Sequence, residues 1–301
     1  MKLQKILTYM KNPMRAFVKL GGWGFFNWMS DETYLKIAYW SVMGKKLDLK
    51  NPQTFNEKLQ WLKLYNRRPI YTTMVDKYEA KKYVASIIGE QYIIPTLGVW
   101  DKFEDINFDK LPNQFVLKCT HDSGGLVICR DKSKFNYQAA KKKINRSLKR
   151  NYFWQGREWP YKDVKSRIIA EKYLAGNLPD YKFMCFNGEP RVIQFCNNRF
   201  TGKELTMTYY DVNWKKLPFE REGHPNTSIV LLPSQLDKMR KLAEILSKDI
   251  PFVRIDLYEN NQRLYFGEMT LYPGSGFPRF TPEEWDKILG AWIHLNIERE
   301  N

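Results

Sequence analysis

The chain has 301 residues, 43% of them hydrophobic and 15% aromatic, enough to bury a sizeable core and too apolar for a disordered polymer. Its 49 Lys and Arg against 33 Asp and Glu leave a net charge of +16, which favours anionic partners such as nucleic acid, an acidic membrane surface, phosphates or an acidic polymer. Cys119, Cys129, Cys185 and Cys196 form no CxxC pair and no metal-ligand spacing with the three histidines; they read as reduced thiols of a cytoplasmic protein, not as a disulfide or zinc framework.

Residues 1–30 form a basic amphipathic segment. Lys2, Lys5, Lys11, Arg15 and Lys19 are interleaved with Leu3, Ile6, Leu7, Met10, Met14, Phe17, Val18 and Leu20, and an aromatic stretch from Gly21 to Trp28 follows. A secretory signal would need a clean apolar block and a small-residue cleavage site, and a membrane span about 18 apolar residues in a row; the segment has neither. Two readings stand: a helix lying in the plane of an anionic leaflet at the inner face of a plasma membrane, or a helix packing its apolar face on the domain.

Residues 31–114 read as a helical region with one short strand. Asn51-Pro52-Gln53-Thr54 makes a turn and cap before the run Phe55–Leu64, a second helix is predicted from Met74 to Ile88, and Tyr92–Trp100 returns as a strand interrupted by Pro95. From Phe115 the pattern turns to strands. In residues 115–174, Phe115–Cys119 and Leu126–Cys129 flank the loop His121-Asp122-Ser123-Gly124-Gly125, a basic helix covers 137–150, an aromatic loop covers 151–165, and Arg167–Leu174 is a further strand. Residues 175–301 add strands at 180–186 and 191–196 joined by an Asn187-Gly188 turn, a helix at 234–248, strands at 252–258 and 263–271, and a last helix capped by Thr281-Pro282. Hairpins predominate, so the class is α+β.

The strongest chemical signal lies in the last hairpin. Alternation places Arg254, Asp256 and Tyr258 on one face and Glu268 and Thr270 on the matching face of the next strand. Pairing brings Arg254 near Glu268, with Asp256 in diagonal reach. Two carboxylates on one sheet face invite a cation, and magnesium takes carboxylate and phosphate oxygens together; a surface Arg254–Glu268 ion pair is the bland alternative. Lys118 ends an apolar strand beside the Gly-rich loop, where an ammonium and backbone N–H groups can meet phosphate. That loop is neither a Walker A sequence nor a dinucleotide fingerprint. Lys182 sits inside an apolar strand, where a lone charge is costly. It therefore needs an anion, either a carboxylate such as Glu171 or a nucleotide phosphate.

The order of these parts resembles a known family. Asp76-Lys77-Tyr-Glu-Ala-Lys81, Pro95, Phe115–Lys118 with its loop, Glu171–Leu174, Asp180-Tyr-Lys182, Arg254-Ile-Asp256 and Gly267-Glu268-Met-Thr270 follow one another as in the ATP-grasp superfamily. More narrowly, Phe55–Trp61, Leu117–Gly125 and Tyr272–Gly276 resemble the TupA-like branch, named for teichuronopeptide biosynthesis and found in bacterial surface-polysaccharide gene sets. The resemblance covers about residues 50–290. It implies an ATP-grasp fold with the nucleotide between two lobes, each built on an antiparallel sheet. It implies that Lys118 and Lys182 contact ATP phosphates under the loop of His121, Ser123, Gly124 and Gly125. By the same resemblance Glu171 accepts from the adenine amino group, the backbone at Tyr173 and Leu174 reads the ring edge, and Asp180 takes the ribose hydroxyls. Asp256 and Glu268 are implied to hold Mg2+, with Thr270 where the wider superfamily usually has Asn, and Arg254 to steady the transferred phosphoryl group. Arg279, in the loop after the metal strand, is the candidate for an anionic substrate.

Most enzymes of that superfamily activate a carboxylate as an acyl phosphate for attack by an amine. The expectation is therefore an ATP-dependent carboxylate–amine ligase joining an amino acid to a uronic acid or peptide of a surface polysaccharide. An anionic glycan or lipid-linked saccharide as acceptor also accounts for the charge. A phosphotransferase acting on a sugar or polyol is the main alternative; a glycosyltransferase ranks lower because no DxD pair occurs. The lysines of 137–150 with Tyr152, Phe153 and Trp154 offer a nucleic-acid surface, but no nucleic-acid motif accompanies them, and a solvated helix face is the simpler reading.

Overall fold

The computed structural model describes residues 13–176, 178–197, 204–227 and 231–296. The basic run through residue 12 lies outside them, and of the expected amphipathic helix only the part from Pro13 to Gly21 falls among the described residues. The chain begins with helices α1 (Pro13–Gly21), α2 (Asp31–Met43), α3 (Phe55–Tyr65), α4 (Ile70–Val75) and α5 (Glu79–Ile88). Strands β1 (Thr96–Trp100), β2 (Phe115–Cys119) and β3 (Leu126–Cys129), helices α6 (Tyr137–Leu148) and α7 (Phe153–Gly156) and strand β4 (Ile168–Lys172) follow. The remainder is β5 (Asp180–Phe186), β6 (Glu189–Asn197), β7 (Thr206–Asp211), β8 (Glu220–Arg221), α8 (Leu236–Ser247), β9 (Phe252–Asn260), β10 (Arg263–Thr270), β11 (Phe280–Thr281) and α9 (Glu284–Ala291).

Two antiparallel sheets carry the architecture, β1-β4-β2-β3 and β10-β9-β5-β6-β7, with a two-stranded β11-β8 ribbon. The smaller sheet buries Phe115, Leu117, Ile168 and Ala170 against Ala140 and Ile144 of α6. The larger buries Phe183, Val192, Phe195, Val253 and Ile255 against residues of α3, α4, α5, α8 and α9. The short strand at 96–100 pairs with β4, so it belongs to the smaller sheet, whereas the helices of 55–88 contribute to the core of the larger one.

Local chemistry explains the elements that frame the site. Thr54 and Glu57 form a capping box at the start of α3, satisfying two N–H groups that the first turn leaves over. One face of α3 buries Phe55, Leu59 and Leu62. Its neighbouring polar stripe clamps two loops: Asn56 donates to Pro278 O at 2.7 Å, Gln60 to Gly276 O at 2.7 Å, and Lys63 to Gly156 O at 2.7 Å and Ser275 O at 2.8 Å. The Asn187-Gly188 turn has positive φ at both residues (49° and 87°), as a two-residue hairpin between right-twisted strands requires. Thr281 pairs with Glu220 in the β11-β8 ribbon instead of capping the last helix, which starts at Glu284. All four cysteines are buried thiols.

Candidate functional site

Two cavities meet between the sheets. The first, of about 930 Å³, is lined by Lys118, Ser123, Gly124, Gly125, Glu171, Tyr173 and Leu174, with apolar walls from Ile94, Val116, Ile128 and Leu178. The second, of about 420 Å³, is lined by Lys182, Arg254, Glu268, Thr270, Arg221 and Glu158 among others. Lys77, Asp122, Ser123 and Glu268 border both.

The first cavity is floored by β2 and β4. Their pairing sets Val116 opposite Glu171 and Lys118 opposite Ile169, so Lys118 and Glu171 are diagonal neighbours on one sheet face. Lys118 Nζ lies 2.5 Å from Glu171, and Lys81 Nζ, from α5, lies 2.6 Å from its other oxygen. Burial works to raise the Glu171 carboxyl, but Lys118 and Lys81 together outweigh it and hold it at about 2. Glu171 is thus a fixed acceptor for any donor that reaches the cavity. In the loop between β2 and β3, Gly125 is demanded by packing, since a Cβ there would lie 2.5 Å from Ser147 Oγ and 2.7 Å from Cys119 Sγ. Gly124 instead has open space where a Cβ would stand; its carbonyl accepts from Leu126 N at 2.8 Å, and the residue lines the cavity.

The second cavity is built by β5, β9 and β10. Asp256 lies directly opposite Lys182 on one side and Glu268 on the other. A bulge between Phe266 and Glu268 shifts the β9–β10 register, so Asp256 faces Glu268 directly, and not diagonally as simple alternation predicts. Gly267 makes this possible, because a Cβ at that point would lie 2.7 Å from the Tyr258 ring. Asp256 is fully buried; it accepts from Lys182 Nζ and, at 2.7 and 2.8 Å, from Arg254 Nε and Nη2. Burial pushes the Asp256 carboxyl up while Arg254 and Lys182 pull it down. Asp180 and Asp256 raise Lys182 despite its burial.

The guanidinium of Arg254 also reaches Glu268 at 3.3 Å and Thr270 Oγ1 at 3.0 Å. All three oxygen side chains predicted to ligate a metal therefore already surround one positive charge. Hard oxygen donors of this kind, two of them carboxylates, fit Mg2+ when phosphate oxygens and water complete its octahedron. Glu268 and Thr270, which line the second cavity, would hold it, joined by the buried Asp256 only where Lys182 and Arg254 give up its carboxylate. Glu268, 35% exposed at its side chain, opens to both cavities.

Four predicted positions lie outside the lining of either cavity; one is Asp256, fully buried with its carboxylate held by Lys182 and Arg254, which do line the second. His121 is 2% exposed and its Nε2 meets Ser147 O, at the end of α6, at 3.1 Å; the loop folds back on α6 and takes the imidazole away from the cavity. Asp180 is 2% exposed and lies 3.4 Å from Lys182, two residues along the same strand face, but outside the lining of either cavity. Arg279 hydrogen-bonds Val42 O and lies 3.7 Å from Glu222, so its head group is spent on the chain's own structure. Lys182, for its part, is met by Asp256 and Asp180, not by Glu171.

The structure adds residues that the sequence did not single out. Lys77 borders both cavities and donates to Asp122 O; it lies in the Asp76-Lys77 phrase already quoted for the resemblance. Arg221 lines the second cavity, and its backbone carbonyl accepts from His224 N at 3.1 Å. Glu158, 3% exposed, accepts from Ser275 Oγ at 2.5 Å at the wall of the same cavity. Arg221 and Glu158 sit in irregular or very short elements, where no periodicity marks them.

A family model described as TupA-like ATPgrasp matches residues 57–294, and a search of curated proteins returns no match. Among solved structures, the D-alanine–D-alanine ligase of Bacillus anthracis complexed with ATP is similar at 18% identity and TM-score 0.38, over 66% of this chain and 54% of that one. The D-alanine–D-alanine ligase of Helicobacter pylori gives 14% identity and TM-score 0.42 over 79% and 69%. The L-amino acid ligase of Bacillus licheniformis gives 13% identity and TM-score 0.47 over 83% and 57%. The chain thus spans only about half to two thirds of the length of these enzymes. With a match across residues 57–294 and two antiparallel sheets enclosing a cavity lined by lysines and a Gly-rich loop, the chain belongs to the TupA-like ATP-grasp family.

Proposed function

We propose that this chain is an ATP- and magnesium-dependent carboxylate–amine ligase of bacterial surface-polysaccharide assembly, joining an amino acid to a uronic acid or peptide. The observation that carries the reading is the junction of the two cavities at Lys77, Ser123 and Glu268. ATP in the first cavity directs its γ-phosphate to that junction, and an acceptor in the second reaches it from the other side. The adenine takes the apolar end, with Glu171 accepting from its amino group and the backbone of Tyr173 and Leu174 along its edge. Lys118, Lys77 and the loop of Ser123–Gly125 hold the phosphates. Magnesium on Asp256, Glu268 and Thr270 would neutralise charge on the phosphate oxygens. Arg254 and Lys182 face the transferred phosphoryl group from the acceptor side.

In this reading the acceptor carboxylate attacks the γ-phosphorus, ADP leaves, and the resulting acyl phosphate is attacked by an amine, with inorganic phosphate released. Arg221 binds the acceptor carboxylate. The acceptor is an anionic glycan or lipid-linked saccharide, which places the protein in the cytoplasm at the inner face of the plasma membrane. The test incubates the chain with Mg–ATP, uronic acids and amino acids and measures ADP and phosphate. Release of both in equal amounts, dependent on the amine, is expected. ADP without free phosphate, with a phosphorylated sugar, makes the chain a phosphotransferase. A melting temperature indifferent to Mg–ATP sinks both.

A further inference from the structure

Three bulky aromatics close to the N-terminus are held out in water. Trp23, Phe25 and Trp28 are 65%, 63% and 79% exposed. They do not stand on a loose tail. Phe17, Val18, Phe26 and Met29, from the same stretch, pack on Tyr34, Leu35, Ala38 and Tyr39 in a small core of their own. Gly21 lies so close to Tyr34 that a Cβ there would fall 2.2 Å from its hydroxyl. The turn is tied by backbone bonds such as Trp23 N to Leu20 O at 3.0 Å and Met29 N to Phe26 O at 3.1 Å. The buried Arg157 donates to Phe26 O at 2.6 Å from the body of the protein. The fold thus spends its contacts on presenting these side chains outward.

We propose that the aromatic turn Trp23–Trp28, with Lys19 beside it, docks this protein on an anionic lipid bilayer. Exposed apolar side chains clustered this closely mark an interaction surface, and the charge selects the partner. Residues 1–30 contain Lys2, Lys5, Lys11, Arg15 and Lys19 and not one Asp or Glu. The Lys19 ammonium lies 5.3 Å from the centre of the Trp23 ring, so cation and aromatic share one patch. Tryptophan and phenylalanine at headgroup depth with lysines beside them is the composition of an interfacial anchor, and each basic group near the surface gains from an anionic leaflet. Val18, on α1 just before the turn, also lines the second cavity. The patch therefore hangs on the element that walls the acceptor site, and a lipid-carried acceptor would enter from the side that faces the membrane.

Flotation of the full chain with vesicles tests this without ATP or turnover, so its failure leaves the ligase reading standing, and failure of turnover leaves this one standing. Vesicles of phosphatidylcholine and phosphatidylglycerol are expected to carry the protein up, vesicles of phosphatidylcholine alone are not, and added salt weakens the binding. The combined variant Trp23→Ala, Phe25→Ala, Trp28→Ala is expected to lose about tenfold or more in partition, with an unchanged melting temperature. Should that variant misfold, tryptophan quenching of the unmodified chain by brominated phosphatidylglycerol vesicles decides the matter, and quenching is expected. No flotation with anionic vesicles, equal flotation with neutral ones, or flotation untouched in a well-folded variant overturns the proposal. So does self-association in vesicle-free sedimentation that the same variant abolishes, since a second copy of the chain would then own the patch.

Discussion

Lys118 and Glu171 are joined at 2.5 Å across neighbouring strands, and Lys81 closes on the same carboxylate from α5 at 2.6 Å. One anion therefore balances two ammonium groups on the floor of the nucleotide cavity, and the three should not respond equally to removal. Lys118→Ala leaves Glu171 paired with Lys81, so the fold keeps most of its stability while stabilisation by Mg–ATP is lost. Glu171→Ala strands two cations, and breaking a buried pair in this way costs roughly 3–5 kcal/mol. Urea unfolding with and without Mg–ATP measures both.

Acid should expose the same triad. Glu171 is held at about 2, below its ordinary 4.5, by Lys118 and Lys81 against the opposing effect of burial. A carboxyl whose value is depressed by folding contributes stability that is complete above its unfolded value and is lost as pH falls toward the folded one. The window is therefore pH 4.5 down to about 2, and the contribution is on the order of 3 kcal/mol. Glu171→Gln should flatten the profile of unfolding free energy against pH in that interval; an unchanged slope would show that the pair contributes nothing.

Asp256 carries a heavier burden. It is fully buried between Lys182 and Arg254, so Asp256→Asn leaves both cations facing a neutral amide. A loss of roughly 3–5 kcal/mol in unfolding free energy is expected, together with loss of the magnesium-dependent part of the ATP-induced rise in melting temperature.

Thr270 offers a gentler probe of the metal. Its Oγ1 lies 3.0 Å from Arg254 Nη2 on the rim of the second cavity. Thr270→Val keeps the shape and removes the oxygen, and should raise the magnesium concentration needed for half of the ATP-induced shift by about tenfold. Thr270→Asn restores an oxygen donor and should reverse that change. Magnesium titrations of the melting temperature read both.

Arg221 and Arg279 separate by position. Arg221 lines the acceptor cavity, whereas Arg279 is held by Val42 and Glu222. Losing a charge-assisted bond to a carboxylate costs about 1.5–3 kcal/mol, so Arg221→Ala should raise KM for the acceptor by about 10–100-fold. Arg279→Ala should leave it within about twofold. Initial rates of ADP release against acceptor concentration decide between them.

Patterns that act along the chain were legible without coordinates. The capping box at Thr54 and Glu57, the Asn187-Gly188 hairpin and the alternation that sets Asp256 and Arg254 on one face follow from neighbouring residues and strand geometry. So did Lys118 beside its Gly-rich loop, because a charge that closes an apolar strand next to glycines is a local feature. Where a side chain finally points was not legible. His121 and Asp180 look poised for a ligand until the fold gives them Ser147 and Lys182 as partners. The bulge at Gly267 moves Glu268 opposite Asp256, and only the neighbouring Tyr258 ring explains it. Arg221 and Glu158 come to one cavity wall from positions 63 residues apart, a convergence no periodicity records. The sequence by itself determined the elements and the charges to be satisfied. The tertiary structure decided which charges satisfy each other and which are left for a ligand, because pairing depends on distances across sheets and loops that the linear order does not contain.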